Sequence, residues 1–261
     1  MIPQDHLTHW RNVAPWSSDE HVEQDLLLSR ALVDIFNDEQ LSAALAFRGG
    51  TALHKLHLAP AARYSEDIDL VQVVAGPIGP TLTRLRTTLG WLGKAKSKAS
   101  DSMASLTFST RAELAPHREL KLKVEINTRE HFAVDGYVER AFAVESPWFA
   151  RATKLQTFSL EELLATKVRA LYQRKKGRDL FDLWWACRAK PDWSRVVEMF
   201  GRYMTHEGHV VSSADFAKNV EEKLRDRAFV GDMGPLLRPA IHYDTAAAAE
   251  HALTLARSIN G

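Results

Sequence analysis

The sequence predicts an α/β (α+β) fold, a small mixed sheet followed by a C-terminal helical lobe, and three stretches carry that expectation. Leu45-Ala46-Phe47-Arg48 is short and apolar and stops at Gly49-Gly50, after which Thr51 to Leu56 takes helical spacing; strand, glycine turn and helix follow in order. Glu66 to Val74 has the β-branched alternation of a strand. Beyond Pro147 the spacing turns helical and no convincing strand pair follows.

The remaining elements follow in chain order. Ser17-Ser18-Asp19-Glu20 opens a helix with acids in its first turn, where the helix dipole favours them, and Leu26 to Phe36 supplies its packed face. The break Gly76-Pro77-Ile78-Gly79-Pro80 ends the Glu66–Val74 strand. Thr81 to Leu92 then returns to helical spacing, and Ser105–Thr110 and Leu120–Asn127 are two further strands. In the lobe, Ser159 is an N-cap with Glu162 at the capping-box position, and Leu160, Leu163, Leu164 and Leu171 form one apolar stripe. Asp215–Asp226 and Asp244–Ile259 read as helices. The boundary falls between residues 145 and 158, giving a core over 1–150 and a lobe over 151–261.

Composition excludes several classes. Of 261 residues, 45% are apolar, 26% charged and 9% aromatic, enough to bury a core and unlike disordered, collagenous or coiled-coil chains. Lys+Arg of 34 against Asp+Glu of 33 leaves +1, so any basic surface must be local. Cys187 is alone; an internal disulfide and Cys-pair zinc spacings are excluded, and a reducing cytoplasm is the default expectation. No stretch approaches the ~20 apolar residues that span a bilayer. Met1 to His6 lacks a basic, then apolar, leader, so a soluble protein without membrane contact is expected.

The chemistry concentrates between Phe47 and Asp69. Residues two apart in a strand share a face, so Asp67 and Asp69 present their carboxylates together while Ile68 and Leu70 enter the core. Paired carboxylates repel unless a proton or a hard divalent cation such as Mg²⁺ relieves them. Gly49 and Gly50 let the backbone approach a ligand, and the N–H groups opening the next helix can cradle phosphate, with the Thr51 hydroxyl as an added donor. Phosphate and Mg²⁺ together point to a nucleotide. Alone, an Asp-x-Asp pair is an ordinary surface strand or turn. A third acid, Glu125, shares a strand face with Lys121, Lys123 and Asn127, a pattern that a half-exposed strand also produces.

Further along, Lys167 falls on the apolar stripe of its helix, where an unpaired ammonium is costly; either a phosphate or a snorkelling position at the core edge answers this. Asp179 and Asp182 follow Gly177 and lie over one helical face, with Asp179 placed to cap the helix. Lys167, Arg169, Arg174, Lys175, Lys176 and Arg178 form one basic group, and Lys94, Lys96 and Lys98 a second; either can be a solvated face or a binding surface for RNA phosphates. Tyr64 and Tyr172 lie near these motifs, with packing favoured over base stacking. His54 and His57, like His206 and His209, lack a third ligand at zinc spacing and read as partly exposed histidines. Trp184 and Trp185 read as core anchors.

The ordered set Gly49-Gly50-Thr51, Arg63-Tyr64-Ser65-Glu66-Asp67-Ile68-Asp69-Leu70, Lys123-Val124-Glu125-Ile126-Asn127-Thr128-Arg129-Glu130, Lys167 and Arg178-Asp179-Leu180-Phe181-Asp182-Leu183 resembles the AbiEii family of nucleotidyltransferase toxins, in the DNA polymerase beta-like superfamily. The resemblance covers roughly residues 47–185. It implies a polymerase beta-like core whose lobe contributes Lys167 and one or both of Asp179 and Asp182 to an active-site cleft. Asp67, Asp69 and Glu125 would hold two Mg²⁺ ions, and Asp69 is the position expected to be most sensitive. Gly49, Gly50 and Thr51 would bind the β- and γ-phosphates of a nucleoside triphosphate, with Thr51 standing where Ser is common in the superfamily, and Lys167 would bind nucleotide phosphate as well. The implied reaction is Mg-dependent transfer of NMP from an NTP to RNA, in particular the tRNA 3′ end. The implied partner is a separately encoded antitoxin. A small-molecule nucleotidyltransferase of the antibiotic-modifying kind and a catalytically silent nucleotide- or RNA-binding protein are the alternatives. The basic Lys167–Arg178 segment argues against the small-molecule alternative and the full carboxylate set against the silent binder.

Overall fold

The structure is a computed structural model that describes residues 2–113 and 117–259. The chain divides into two compact units, Met1–Phe158 and Ser159–Gly261.

The first unit opens with α1 (Gln4–Trp10), α2 (Asp19–Phe36) and α3 (Glu39–Ala44), then β1 (Leu45–Arg48). One turn, α4 (Gly49–Ala52), continues as a π-helical turn over Leu53–His57. There follow β2 (Asp67–Gln72), α5 (Gly79–Thr88), β3 (Ala95–Ala99), β4 (Met103–Arg111), β5 (Glu119–Asn127), β6 (Val138–Glu145) and β7 (Ala150–Thr157). All seven strands form one mixed sheet in the order β3-β4-β5-β2-β1-β7-β6. The β2/β5 and β1/β7 pairs are parallel and the other four antiparallel.

Alternation explains how this sheet builds a core on one face. Phe47, Leu70, Ile126 and Ala104 lie in one row across β1, β2, β5 and β4, and Ile68, Val124 and Leu106 in the next. All seven are at most 1% exposed. The long α2 packs against β2, β5, β6 and β7, and Leu28, Leu32 and Ile35 along it are fully buried; burial of each such side chain contributes about 1.5–3 kcal/mol. At the N-terminal end, the buried Asp25 carboxylate accepts hydrogen bonds from the Trp10 and Trp16 indoles (3.1 and 3.3 Å) and from Lys55 Nζ (3.0 Å to each oxygen). This network ties the first two helices to the turn that follows Gly49-Gly50.

Three strands lie outside the sequence expectations. In β3, Ala-Lys-Ser-Lys-Ala has little β-propensity, and this edge strand is exposed at four of its five residues. The β6–β7 hairpin buries only Val144, Leu155 and Thr157, too few inward apolar residues to mark the pattern. Residues 151–157, assigned from the sequence to the helical lobe, therefore belong to the sheet: Phe47 pairs with Thr157, whose hydroxyl donates to the Phe47 carbonyl at 2.6 Å.

The second unit is helical: α6 (Leu160–Gln173), α7 (Gly177–Ala186), α8 (Trp193–His206), α9 (Ser213–Leu224), α10 (Arg227–Gly231) and α11 (Thr245–Arg257). Ser159 caps α6, its hydroxyl accepting from Glu162 N–H at 3.1 Å, while the buried Glu162 carboxylate accepts from Tyr203 O–H at 2.7 Å. Asp244 caps α11 in the same way. The C-terminal carbonyls of α6 are met by Lys223 Nζ, which donates to Leu171 and Tyr172; burial pulls its pKa down to about 8. Asp179 is not a cap: α7 begins at Gly177, where the Phe229 carbonyl comes too close for any side chain, and Asp179 lies inside its first turn.

Candidate active site

The polar face of the sheet is built by strand register. Arg48 on β1, Asp69 on β2, Glu125 on β5 and Ser105 on β4 occupy one row; Asp67, Lys123 and Thr107 occupy the next. Adjacent strands lie about 4.8 Å apart, so Asp67, Asp69 and Glu125, remote in sequence, converge on one patch. All three are half-buried.

Gly49 joins this patch through its backbone. Its φ of +78° is a left-handed conformation that glycine adopts without strain, and a Cβ built on it would collide with the Asp69 carboxylate. The first peptide of the glycine turn thus runs directly against Asp69. Thr51 departs from its expected role as a phosphate donor. It is 1% exposed, and its hydroxyl donates to the Asp67 carbonyl oxygen at 2.6 Å and meets the Ser65 hydroxyl at 2.8 Å. It fastens the glycine turn to the start of β2 and so fixes where Asp67 emerges.

The electrostatics follow from this crowding. Burial, then the neighbouring carboxylates of Asp69, Glu66 and Glu125, push Asp67 up to about 6 despite the opposing pull of Lys123. Lys123 Nζ lies 2.6 Å from Glu125 Oε1, and this hydrogen bond raises the lysine. Arg48 pairs with Glu130 at 2.9 Å, and Glu130 is held by the Asn127 side chain, which accepts from the N–H groups of Arg129 and Glu130. Among the described residues, no three His, Cys, Asp or Glu side chains are already gathered around one metal position. The donor set nonetheless fits a hard cation: three carboxylates converge, and their repulsion shows in the raised pKa of Asp67 even with Lys123 beside Glu125. Sequence reasoning overlooked Arg48, Ser65 and Lys123 as parts of this patch. Only Lys123 left a signal, as a basic residue on the polar face of the Glu125 strand.

In the second unit the structure gives Lys167 its anion. The ammonium, 5% exposed, lies 3.1 Å from Asp179 Oδ1 and 2.8 Å from Asp182 Oδ2, both aspartates being fully buried. Arg174 also grips Asp179, at 2.7 and 2.8 Å. Burial raises Asp179, but Lys167 and then Arg174 outweigh it and hold the carboxyl below its usual range. The basic segment is largely neutralised within the unit: Lys167, Arg169, Arg174 and Lys175 each meet a carboxylate, leaving, among the described residues, Lys176 and Arg178. Its weight against a small-molecule acceptor falls accordingly. Tyr172 stacks on Phe216 and Tyr64 on His21, so both tyrosines pack. His54 is buried rather than partly exposed.

The profile of a family described as nucleotidyl transferase AbiEii toxin, type IV TA system, matches residues 30–251. The chain belongs to this family. It is therefore a nucleotidyltransferase of toxin type, and the family implies a nucleotide substrate, commonly a divalent metal, and a separate antitoxin. MenT4, a nucleotidyltransferase toxin from Mycobacterium tuberculosis H37Rv, has a similar fold (TM-score 0.64, 17% identity, 99% of this chain and 90% of that one). So has JHP933 from Helicobacter pylori (TM-score 0.58, 20% identity, 93% of this chain and 92% of that one). No curated protein matches the sequence. No helix among the described residues is long and apolar enough to cross a membrane.

Proposed function

We propose that this AbiEii toxin transfers an NMP unit from a nucleoside triphosphate to an RNA acceptor, the 3′ end of tRNA. The observation that carries the reading is the register that sets Asp69 against Glu125, with Asp67 in the next row and the Gly49 backbone pressed on Asp69. Asp67, Asp69 and Glu125 would hold Mg²⁺, and a bound Mg²⁺ would supply a lowered pKa of the attacking hydroxyl and neutralisation of charge on the triphosphate. The N–H groups that follow Gly49 would donate hydrogen bonds to the β- and γ-phosphate oxygens. The Asp67 position is fixed by Thr51, so Thr51 acts through geometry and not by touching a phosphate. Lys167 is assigned to nucleotide phosphate, with Asp179 and Asp182 holding its ammonium in place.

In the reaction the acceptor oxygen forms a bond to the α-phosphorus, the bond to the bridging oxygen breaks, and pyrophosphate leaves with that electron pair. The acceptor proton passes to solvent through a carboxylate of the patch. The test is purified protein with Mg²⁺, each α-labelled nucleoside triphosphate in turn and total tRNA, with Asp69→Ala as control. Label in tRNA that vanishes in the variant supports the reading. Label only on small acceptors would overturn the RNA assignment and leave the small-molecule transferase.

A further inference from the structure

The two lysines of β3 continue the rows of the carboxylate patch. Lys98 lies in register with Ser105, hence in the row of Glu125 and Asp69; Lys96 lies in register with Thr107, hence in the row of Lys123 and Asp67. The polar face thus runs without interruption from the carboxylates on β2 and β5, over a strip of hydroxyls on β4 (Ser105, Thr107, Ser109), to ammonium groups on the sheet's edge. Two strand spacings, roughly 10 Å, separate the Glu125 backbone from that of Lys98. Most of the face is open: Lys96, Lys98, Ser109 and Lys121 are exposed and Thr107 and Lys123 half-buried, while Ser105 beside Glu125 is buried.

Its charge is one-sided. Lys96, Lys98, Arg111, Lys121 and Lys123 stand on the β3–β5 part of the face against Glu119 and Glu125. Each carboxylate already has its own lysine, Glu119 with Lys121 at 3.4 Å and Glu125 with Lys123 at 2.6 Å. Lys96 acts on Glu119 only at longer range, and among the described residues neither Lys96 nor Lys98 has an ion-pair partner. The same alignment is absent from the second unit, whose basic segment is spent on internal carboxylates.

We infer that the β3–β4–β5 face is the track for the acceptor RNA backbone, with Lys96 and Lys98 neutralising phosphates a few nucleotides from the reacting end and the half-buried Thr107 hydroxyl between them and the carboxylates as an added donor. This deepens the proposed function and rests on its RNA acceptor. Phosphate contacts position a strand without reading its bases, so the track sets affinity and alignment and not sequence choice. Lysines on an edge strand also discourage pairing with a second chain, and charge of either sign serves that purpose. Charge reversal therefore separates the two roles.

The experiment measures binding of labelled total tRNA, without nucleotide, over a range of KCl concentrations for wild type, Lys96→Ala/Lys98→Ala, Lys96→Glu/Lys98→Glu and a control pair elsewhere, Lys218→Ala/Arg227→Ala. The inference expects the alanine pair to flatten the log–log salt dependence by about 1.5–2, from ~0.7–1 per phosphate contact, and to weaken binding about tenfold. The glutamate pair should bind more weakly still while remaining monodisperse on size-exclusion chromatography. Binding of Mg²⁺–NTP should match wild type in both, which also shows that the sheet is folded. Unchanged salt dependence in a protein whose wild type binds and labels tRNA overturns the track alone. A wild type that neither binds nor labels RNA overturns the acceptor reading, and the track with it.

Discussion

Two charged clusters, one in each unit, show what charge does when a fold satisfies it and when it does not. In the second unit Lys167, Arg174, Asp179 and Asp182 are two cations and two anions at 2.7–3.1 Å, both carboxylates fully buried, with Asp179 held below its usual pKa. In the first unit three half-buried carboxylates crowd together, Lys123 pairs with Glu125, and Asp67 is pushed up to about 6. The charges of the second unit meet one another at hydrogen-bond distance. Those of the first unit still repel, as the raised Asp67 shows, and stand half-open to solvent, which suits a site for a cation.

The largest expected effect sharpens this contrast. Asp69→Ala should reduce transfer by a thousandfold or more, since several kcal/mol of transition-state stabilisation depend on the cation the aspartate holds. The same change removes a charge that repels the Asp67 carboxylate, so in the metal-free variant the Asp67 pKa, followed by NMR titration, should fall from about 6. An unchanged Asp67 titration would mean that the two carboxylates do not act on one another. Lys167→Met should lower transfer, through loss of the phosphate contact assigned to it, and should also cost stability: removing the ammonium leaves buried carboxylates under-compensated, costing about 3–5 kcal/mol in urea titration. Lys167→Met/Asp182→Leu should recover part of that loss. Equal losses in the single and double variants would mean that the pair is not coupled.

Asp67 gives the contrast a pH dependence. Its folded pKa of about 6 lies above the ordinary 3.8, so the stability tied to its protonated form is complete below about pH 4 and disappears as pH rises through 6. Metal-free protein should therefore be more stable at pH 5 than at pH 7.5 with respect to this group, and Mg²⁺ should raise the melting temperature more at pH 7.5. Asp67→Asn should remove that difference and, after discounting for partial exposure, gain about 1 kcal/mol at pH 7.5, or ~2–4 °C. A Mg²⁺ shift that stays equal at both pH values would show that Asp67 does not meet the cation.

Much of this was legible in the sequence because local rules wrote it. Strand-turn-helix at Leu45–Leu56, the Asp-x-Asp strand and the Ser159 cap each depend on residues within a few positions of one another, and the structure has them. The seven-strand extent of the sheet was hidden because β3, β6 and β7 bury few side chains and so lack the apolar alternation by which strands are recognised. Chemical roles divided in the same way. Which residues carry charge could be read off directly, but their partners are set by register and packing: Lys167 finds Asp179 and Asp182, Thr51 finds the Asp67 carbonyl, and Lys123 finds Glu125. A residue type suited to phosphate does not reveal whether the fold has already claimed it.

Lys123 is where that question can be measured with the smallest perturbation. It supplies the open cluster with a provisional cation, so a divalent metal must displace it from Glu125 or share the carboxylate with it. Half-exposed ion pairs contribute up to about 1 kcal/mol, so Lys123→Met should tighten Mn²⁺ binding, followed by calorimetry or by the paramagnetic signal, by at most about fivefold. Removing one positive charge beside Asp67 acts in the same direction, and the methionine keeps most of the aliphatic stem against the sheet. Weaker Mn²⁺ binding would carry a different lesson. Lys123 would then be orienting the Glu125 carboxylate for the metal rather than standing in its place, and the first cluster would share with the second a cation built permanently into its design.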